Sequence, residues 1–280
     1  MMSNFKIGVI PDSFRTDFVN SVKKAAAVGA DGIQPYCTPN MPLVGAELMT
    51  KERLAEVKSI VKSEGLVFSA LCGDLGKGFT NEELNPKLID YSKRYIDWAL
   101  ELGTNVVTTH VGVIPEDTSC ETFQILLEAG RKLAEYAKAN HAFFALETGL
   151  EKAAVMKKYL DLLPTGIAVN YDPANLVMVA GDDPVQGVYT LKDYIVHTHA
   201  KDGVKLSADG STEIHPGEEH LHENTKYKEL PLGTGGVPFD QYLAALKEVG
   251  YKGFLTIERE VGENPAADIK MAADFLRARI

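Results

Sequence analysis

The stretch YIVHTHAKD (residues 194–202) decides how the chain is read. Tyr194, Ile195 and Val196 have the character of a buried strand, and two histidines follow with one residue between them, His197 and His199. Side chains two apart on a strand share a face, so both imidazoles point the same way at the strand's end. Lys201 and Asp202 fall where the strand should run into a loop. A lone histidine there would read as a satisfied core residue; a strand-end pair raises metal binding to an equal alternative.

Working outward, apolar runs of strand length recur at 5–10, 32–36, 67–71, 105–109, 142–147 and 166–172 before this stretch, and at 253–258 after it. Segments of helical period lie at 16–28, 48–64, 86–102, 120–139, 151–162, 239–250 and 265–278. Eight nearly all-apolar strands interleaved with helices imply a parallel sheet buried on both faces. The economical arrangement for 280 residues is an α/β fold, a single (β/α)8 TIM barrel, which typically takes ~250. A doubly wound open sheet is the structural competitor. With no linker and no low-complexity run, one domain over residues 1–280 is expected. One connection is out of scale: residues 203–236, rich in Gly, Glu and His, separate the seventh strand from the next helix. Loops of that length are usually functional lids or excursions.

Composition narrows the class. The chain is 45% hydrophobic and 24% charged, an ordinary globular balance. Its net charge of -10 argues against a protein that grips a nucleic-acid backbone, which needs clustered Lys and Arg. The three cysteines, Cys37, Cys72 and Cys120, lack CxxC spacing and suggest neither a disulfide framework nor a zinc knuckle; a reducing cytoplasm suits them. No segment approaches the ~18 apolar residues of a membrane span, and the start of the chain enters a strand at once, so no membrane partner is expected.

In a parallel barrel the reacting groups sit at the carboxyl ends of the strands. Strands five to eight end on Glu147 (in ALETG), Asp172 (NYDPAN), His199 (HTHAKD) and Glu258 (TIERE). Taken singly, a strand-end carboxylate caps a loop or pairs with a lysine. Four in phase on consecutive strands ask for more, because burying three carboxylates side by side without a cation costs many kcal/mol or forces protonation. One divalent ion resolves this. Three oxygen ligands and one imidazole form a mostly hard site, suited to Mn²⁺ or Mg²⁺, with Co²⁺ and Zn²⁺ as further candidates.

That E…D…H…E set, with HxHxKD on strand seven, LGTGG before the penultimate helix and TIERE on strand eight, resembles the xylose isomerase-like barrel superfamily. Its members include sugar isomerases and epimerases related to tagatose 3-epimerase, hydroxypyruvate isomerase, inosose dehydratase and endonuclease IV. The resemblance covers essentially the whole chain and is specific for fold and metal site, not for substrate. It implies Glu147, Asp172, His199 and Glu258 as metal ligands, with Glu147 and Glu258 also exchanging protons with a sugar or polyol-derived substrate. The implied activity is that of a metal-dependent sugar or sugar phosphate isomerase or epimerase. It acts by proton abstraction next to a carbonyl, through a metal-stabilised enediolate. A dehydratase of inosose or dehydroshikimate type is the nearest alternative, and a non-catalytic sugar-binding barrel a more distant one. Relatives often pair, so a homodimer or homotetramer is the association the resemblance suggests, while the sequence leaves the oligomeric state open.

The chain departs from the pattern where many relatives carry a histidine three residues after the strand-six aspartate: DPAN places Asn175 there. Asparagine can hydrogen-bond a sugar hydroxyl but is a weak metal ligand. The endonuclease also needs a DxH pair after strand seven, where this chain has YKELPLG. Among the other candidates, His110 ends strand four and faces the site, to bind substrate or a second metal or to serve as a hydrogen-bonded barrel histidine, and His197 shares the face of His199 as a support behind the ligands or a substrate contact. Lys201 could neutralise an oxyanion or phosphate, or bridge to Asp202, while Arg259 should point away. Cys72 lies near the mouth as a pocket-lining candidate, with buried packing as its alternative. His215, His220 and His222 invite a metal reading, though a solvated lid explains them as well. CGDLGKGF and LGTGG could cradle a phosphate or serve as tight turns.

Overall fold

The computed structural model describes residues 5–44, 49–206, 220–222 and 225–280. Its strands are β1 (Lys6–Val9), β2 (Gly32–Ile33), β3 (Val67–Phe68), β4 (Leu71–Cys72), β5 (Val106–Thr109), β6 (Phe143–Glu147), β7 (Ile167–Tyr171), β8 (Ile195–Ala200), β9 (Asp202–Lys205), β10 (His220–His222), β11 (Thr225–Leu230) and β12 (Phe254–Ile257). The helices are α1 (Phe18–Ala27), α2 (Lys51–Ser63), α3 (Asn85–Leu102), α4 (Glu121–Ala139), α5 (Ala153–Leu160), α6 (Pro173–Asn175), α7 (Pro184–Leu191), α8 (Phe239–Glu248) and α9 (Pro265–Arg277).

Nine parallel strand segments run in the order β3-β2-β1-β12-β8-β7-β6-β5-β4. The two ends of that order, β3 and β4, are halves of one strand broken at Ser69 and Ala70. Ser69 donates its N–H to Ile33 O at 2.8 Å, while its own carbonyl accepts from the Thr104 hydroxyl at 2.9 Å. The strand therefore turns from β2 toward β5 at this point. Tyr36 bridges Cys72, with Cys72 N–H to Pro35 O at 2.9 Å and Cys37 N–H to Cys72 O at 2.8 Å, which brings the sheet round into a barrel. The expected eight-strand barrel is thus present, with its third strand in two pieces.

Strand alternation sorts the side chains by face. On β6 and β7, Phe144, Leu146, Ile167, Val169 and Tyr171 join the large core under the helices, while Ala145 and Ala168 form a small separate cluster with Ala70 and Val106. That cluster is the dry floor of the barrel interior. Above it the same inward phase carries Asn170 and Thr108, and above those Glu147 and Asp172. Polarity therefore climbs toward the carboxyl ends of the strands. On β8 the phase is reset by a bulge: Val169 pairs Ile195 but Asn170 pairs His197, so Val196 is the extra residue. Such a bulge re-aims the residues after it, and His197 and His199 consequently face inward.

Two regions differ from the sequence expectation. Helix α7 lies in a stretch where none was foreseen; its Gly and β-branched residues weaken the helical signal. Asp183 nevertheless caps it, accepting from Val185 N at 2.8 Å and Gln186 N at 3.1 Å, with Pro184 in the first turn. The long connection after β8 is not loop throughout: β9, β11 and β10 form a three-stranded antiparallel sheet. His220 and His222 fall on β10, and His215 lies outside the described residues.

Helix packing supplies a test. A Cβ at Gly130 of α4 would lie 2.1 Å from the hydroxyl oxygen of Tyr159, a fully buried ring on α5 whose O–H donates to Leu126 O at 2.9 Å. Gly130→Ala should therefore destabilise the protein by about 1–3 kcal/mol in urea unfolding, despite alanine's better helix propensity. Adding Tyr159→Phe should recover part of that loss; equal losses in the single and double variants would contradict the packing account.

Candidate metal centre

Glu147, Asp172, His199 and Glu258 each present a ligand atom, and these atoms lie within 4.8 Å of one another. Glu147 ends β6, Asp172 follows β7, His199 sits near the end of β8 and Glu258 follows β12, four strands adjacent in that order. His199 Nδ1 is 3.2 Å from Glu258, 3.3 Å from Asp172 and 3.5 Å from Glu147, so one ring nitrogen faces all three carboxylates. All four residues are buried. This donor set of three carboxylates and an imidazole could hold a divalent cation, which would offset a concentration of charge that the interior otherwise penalises.

The surroundings hold each carboxylate in place. Asp172 caps α6 by accepting from Asn175 N at 2.9 Å. Glu147 accepts from Asn175 Nδ2 at 3.0 Å and from Asn170 Nδ2 at 3.3 Å. Glu258 accepts from Lys201 Nζ at 3.0 Å, and the same ammonium reaches Glu260 at 2.5 Å. Burial opposes ionisation of Glu258, but Lys201 and His199 outweigh it and hold its carboxyl well below the ordinary range. Burial instead raises Asp172, against the hydrogen bond from His199. Burial also works against charge on His199 and Lys201, yet the surrounding glutamates raise both well above their usual values.

Above the cluster opens a cavity of about 460 Å³ whose lining includes Glu147, Glu258, His110, Asn175 and Lys201. Asp172 and His199, at 0% and 1% exposure, lie beneath its floor. His110 Nδ1 is 2.8 Å from Asp74, and its Nε2 is 3.6 Å from Glu147. Burial disfavours its charged form, but Glu147 and Asp74 prevail and bring it to about 9. A second groove of equal volume lies between α3 and α4, away from the carboxylate cluster.

The structure thus brings His110, Asn175 and Lys201 to the cavity with Glu147 and Glu258, above Asp172 and His199, but it places two other candidates elsewhere. His197 does not line the cavity but lies behind the ligands: at 1% exposure, its Nδ1 faces Asn170 Oδ1 at 2.8 Å and its Nε2 faces the Thr256 hydroxyl at 2.9 Å. With both ring nitrogens engaged, burial and the charge on His199 keep it neutral, well below its ordinary pKa. Cys72 is buried in β4 and does not line the cavity, so the packing alternative holds for it.

Lys201 pairs with Glu258 and Glu260, not Asp202, because the Asp202 carboxylate is taken by backbone donors. It accepts from Gly203 N, Gly233 N and Gly235 N at 2.9 Å and from Val237 N at 3.1 Å. Of LGTGG, Gly233 and Gly235 thus give their N–H groups to Asp202, Thr234 gives its own to Pro231 O and Gly236 to Gly203 O, so the stretch is a turn bonded within the protein. Arg259 points away as expected, to Glu229 at 2.6 Å and Asp268 at 2.8 Å.

Sequence reasoning missed Tyr36, Asp74 and Glu260 at the cavity, and Gln34 and Asn170 beneath it. Asn170 was findable: it lies two residues before Asp172 on the same inward face. Gln34 has the same kind of signal, a lone amide in the apolar run of the second strand.

Comparison with known proteins agrees with this geometry. A family model described as xylose isomerase-like TIM barrel matches residues 22–279. An uncharacterized protein of Methanocaldococcus jannaschii is 26% identical over 200 residues, 70% of this chain and 64% of that protein. The L-ribulose-5-phosphate 3-epimerase UlaE of Salmonella paratyphi C is 43% identical over 56 residues, 19% of this chain; the match spans only 20% of the epimerase. Among solved structures, a xylose isomerase domain protein from Planctomyces limnophilus superposes with a TM-score of 0.80 at 22% identity, over 98% of this chain and 96% of that one. The probable 3-DHS dehydratase AsbF of Bacillus anthracis superposes with a TM-score of 0.77 at 20% identity, over 99% and 100%. The matched length, and the four strand-end ligand candidates it encloses, make this chain a member of the xylose isomerase-like TIM barrel family.

Proposed function

We infer that the protein is a divalent-metal-dependent sugar isomerase or epimerase that moves a proton next to a substrate carbonyl. The observation that carries the reading is that Glu147 and Glu258 reach the cavity while Asp172 and His199 lie below them in the same cluster. Two carboxylates at one hard metal site, both open to a substrate, supply a base and an acid at the same carbon centre. A bound Mn²⁺ or Mg²⁺ would polarise the carbonyl and lower the pKa of the adjacent C–H.

Either glutamate then removes that proton. Lys201 beside Glu258 keeps that carboxylate ionised and oriented. Asn175 and Asn170 orient Glu147 through its two oxygens. Return of the proton to the opposite face gives an epimer; return to the neighbouring carbon gives the aldose or ketose isomer. His110, tied to Asp74 and facing Glu147, is placed to donate to a substrate oxygen. The relative from Salmonella is named as an epimerase and the structural neighbour from Bacillus anthracis as a dehydratase. The dehydratase alternative shares the first proton abstraction and then expels a β-hydroxyl.

Product analysis on ketoses, their phosphates and inososes with Mn²⁺ or Mg²⁺ tests the reading. It predicts products of unchanged formula, lost on chelation; loss of water would move the assignment to the dehydratase. Glu258→Gln should lower kcat by about 10²–10⁴-fold while the protein stays folded. Undiminished turnover in that variant would remove Glu258 from the chemistry. Saturating Mn²⁺ should also raise the unfolding temperature of the wild type, since a ligand at 100 times its Kd adds about 2.7 kcal/mol. Asp172→Asn should lose most of that shift in the same thermal scan, and an equal shift in both proteins would place the ion elsewhere.

A further inference from the structure

We propose that Gln34 is the positioning residue that sets the tautomer of His199, and so holds this histidine ready to bind a cation. The inference rests on the metal reading of the cluster and concerns a residue that touches neither the cavity nor the carboxylates.

His199 faces Glu147, Asp172 and Glu258 with Nδ1. To bind a cation among those carboxylates, Nδ1 must offer its lone pair, and the ring hydrogen must sit on Nε2. Two amides meet Nε2 at the same distance and with opposite polarity. Asn170 approaches with Nδ2 at 3.1 Å, a donor, and Gln34 approaches with Oε1 at 3.1 Å, an acceptor.

If Nε2 accepted from Asn170, the hydrogen would move to Nδ1 and point at the space a cation needs. Gln34 Oε1 would then face a lone pair inside the barrel, where Gln34 is 0% exposed, and an unpaired buried acceptor is costly. If Nε2 donates to Gln34, both groups are satisfied and Nδ1 is free for the metal. Asn170 loses nothing in that state, because its Nδ2 donates to Glu147 Oε2 at 3.3 Å and its Oδ1 accepts from His197 Nδ1 at 2.8 Å.

The orientation of Gln34 is fixed from the far side. Its Nε2 donates to the Thr108 hydroxyl at 2.8 Å, and that hydroxyl donates to Leu71 O at 3.5 Å. A flipped amide would set its nitrogen against the hydrogen of Nε2, and the Thr108 hydroxyl would have to turn from Leu71 O to meet its oxygen. The relay from Leu71 through Thr108 and Gln34 to His199 thus has one consistent direction. It ends with an open lone pair toward the carboxylates.

Calorimetric titration with Mn²⁺ tests this. Gln34→Met, of similar shape but with no acceptor, leaves Asn170 as the amide beside Nε2 and should weaken binding by about 10–100-fold. By ¹⁵N NMR, neutral His199 in the metal-free Gln34→Met variant should carry its hydrogen on Nδ1 where the wild type carries it on Nε2, a change that a purely structural role for Gln34 would not give. Thr108→Val, which has no contact with His199, should weaken binding in the same direction as Gln34→Met. It also carries the test if that variant fails to fold. In the Mg²⁺-loaded wild type, ¹⁵N spectra should place the His199 hydrogen on Nε2. Wild-type affinity in Gln34→Met and Thr108→Val, an unchanged His199 tautomer in Gln34→Met, or a hydrogen on Nδ1 in the wild type would each overturn the proposal. No Mn²⁺ binding by the wild type would instead overturn the metal reading on which it rests.

Discussion

Repulsion among three buried carboxylates is the constraint around which this barrel is built. Glu147, Asp172 and Glu258 bring ligand atoms within 4.8 Å of one another with water largely excluded. Two unit charges 4 Å apart repel by about 4 kcal/mol at an effective dielectric of 20. Three such pairs reach the scale of the ~5–15 kcal/mol that holds a typical domain together. Lys201 offsets part of this, but it is shared with Glu260, and an imidazolium at His199 would fill the space between the carboxylates with a proton. A divalent ion balances the charge more completely and leaves two glutamates usable from the cavity. The feature that makes the site costly is the one that makes it chemically competent.

The scaffold serves that arrangement layer by layer. The floor of the barrel interior is dry and small-chained, with Ala70, Val106, Ala145 and Ala168. The layer above is an amide and imidazole network in which Asn170 bonds His197 and reaches Glu147, and both Asn170 and Gln34 meet His199. The bulge at Val196 puts His197 and His199 in the inward phase. On the loop side, Asp202 gathers four backbone N–H groups from Gly203 and the Gly233–Val237 turn, which anchors the end of the long connection beside the site. Arg259 and Glu229 tie the last barrel strand to β11 in the same region. The cavity is therefore walled by elements fixed through charge-assisted bonds, and those bonds leave Glu147, Glu258 and His110 facing inward.

Much of this was legible in the chain because it follows from periodicity. Apolar runs of period two and helices of period 3.6 give the barrel, and a polar residue ending each of four consecutive strands gives Glu147, Asp172, His199 and Glu258. What failed to show were features set by tertiary partners. His197 shares its face with His199, and strand alternation alone cannot tell a histidine in the cavity from one a layer below it; Asn170 and Thr256 decide that. Lys201 and Asp202 are adjacent, so a bridge between them was a fair expectation, but the backbone donors of a turn some thirty residues on claim the aspartate. The break at Ser69 depends on the Thr104 hydroxyl, and the sheet in the long connection on pairing between β9 and β11. None of these has a local signature.

The central claim, a carbon-bound proton exchanged through a metal-dependent base, is tested most directly by solvent isotope incorporation. The Mn²⁺-loaded protein would be incubated in D₂O with a panel of ketoses and inososes, and the recovered sugars read by mass spectrometry and NMR. The account predicts one deuterium on the carbon beside the carbonyl, abolished by chelation. Conversion of a substrate with no deuterium gained at that carbon would contradict it, since a proton held by Glu147 or Glu258 at the cavity should exchange with solvent.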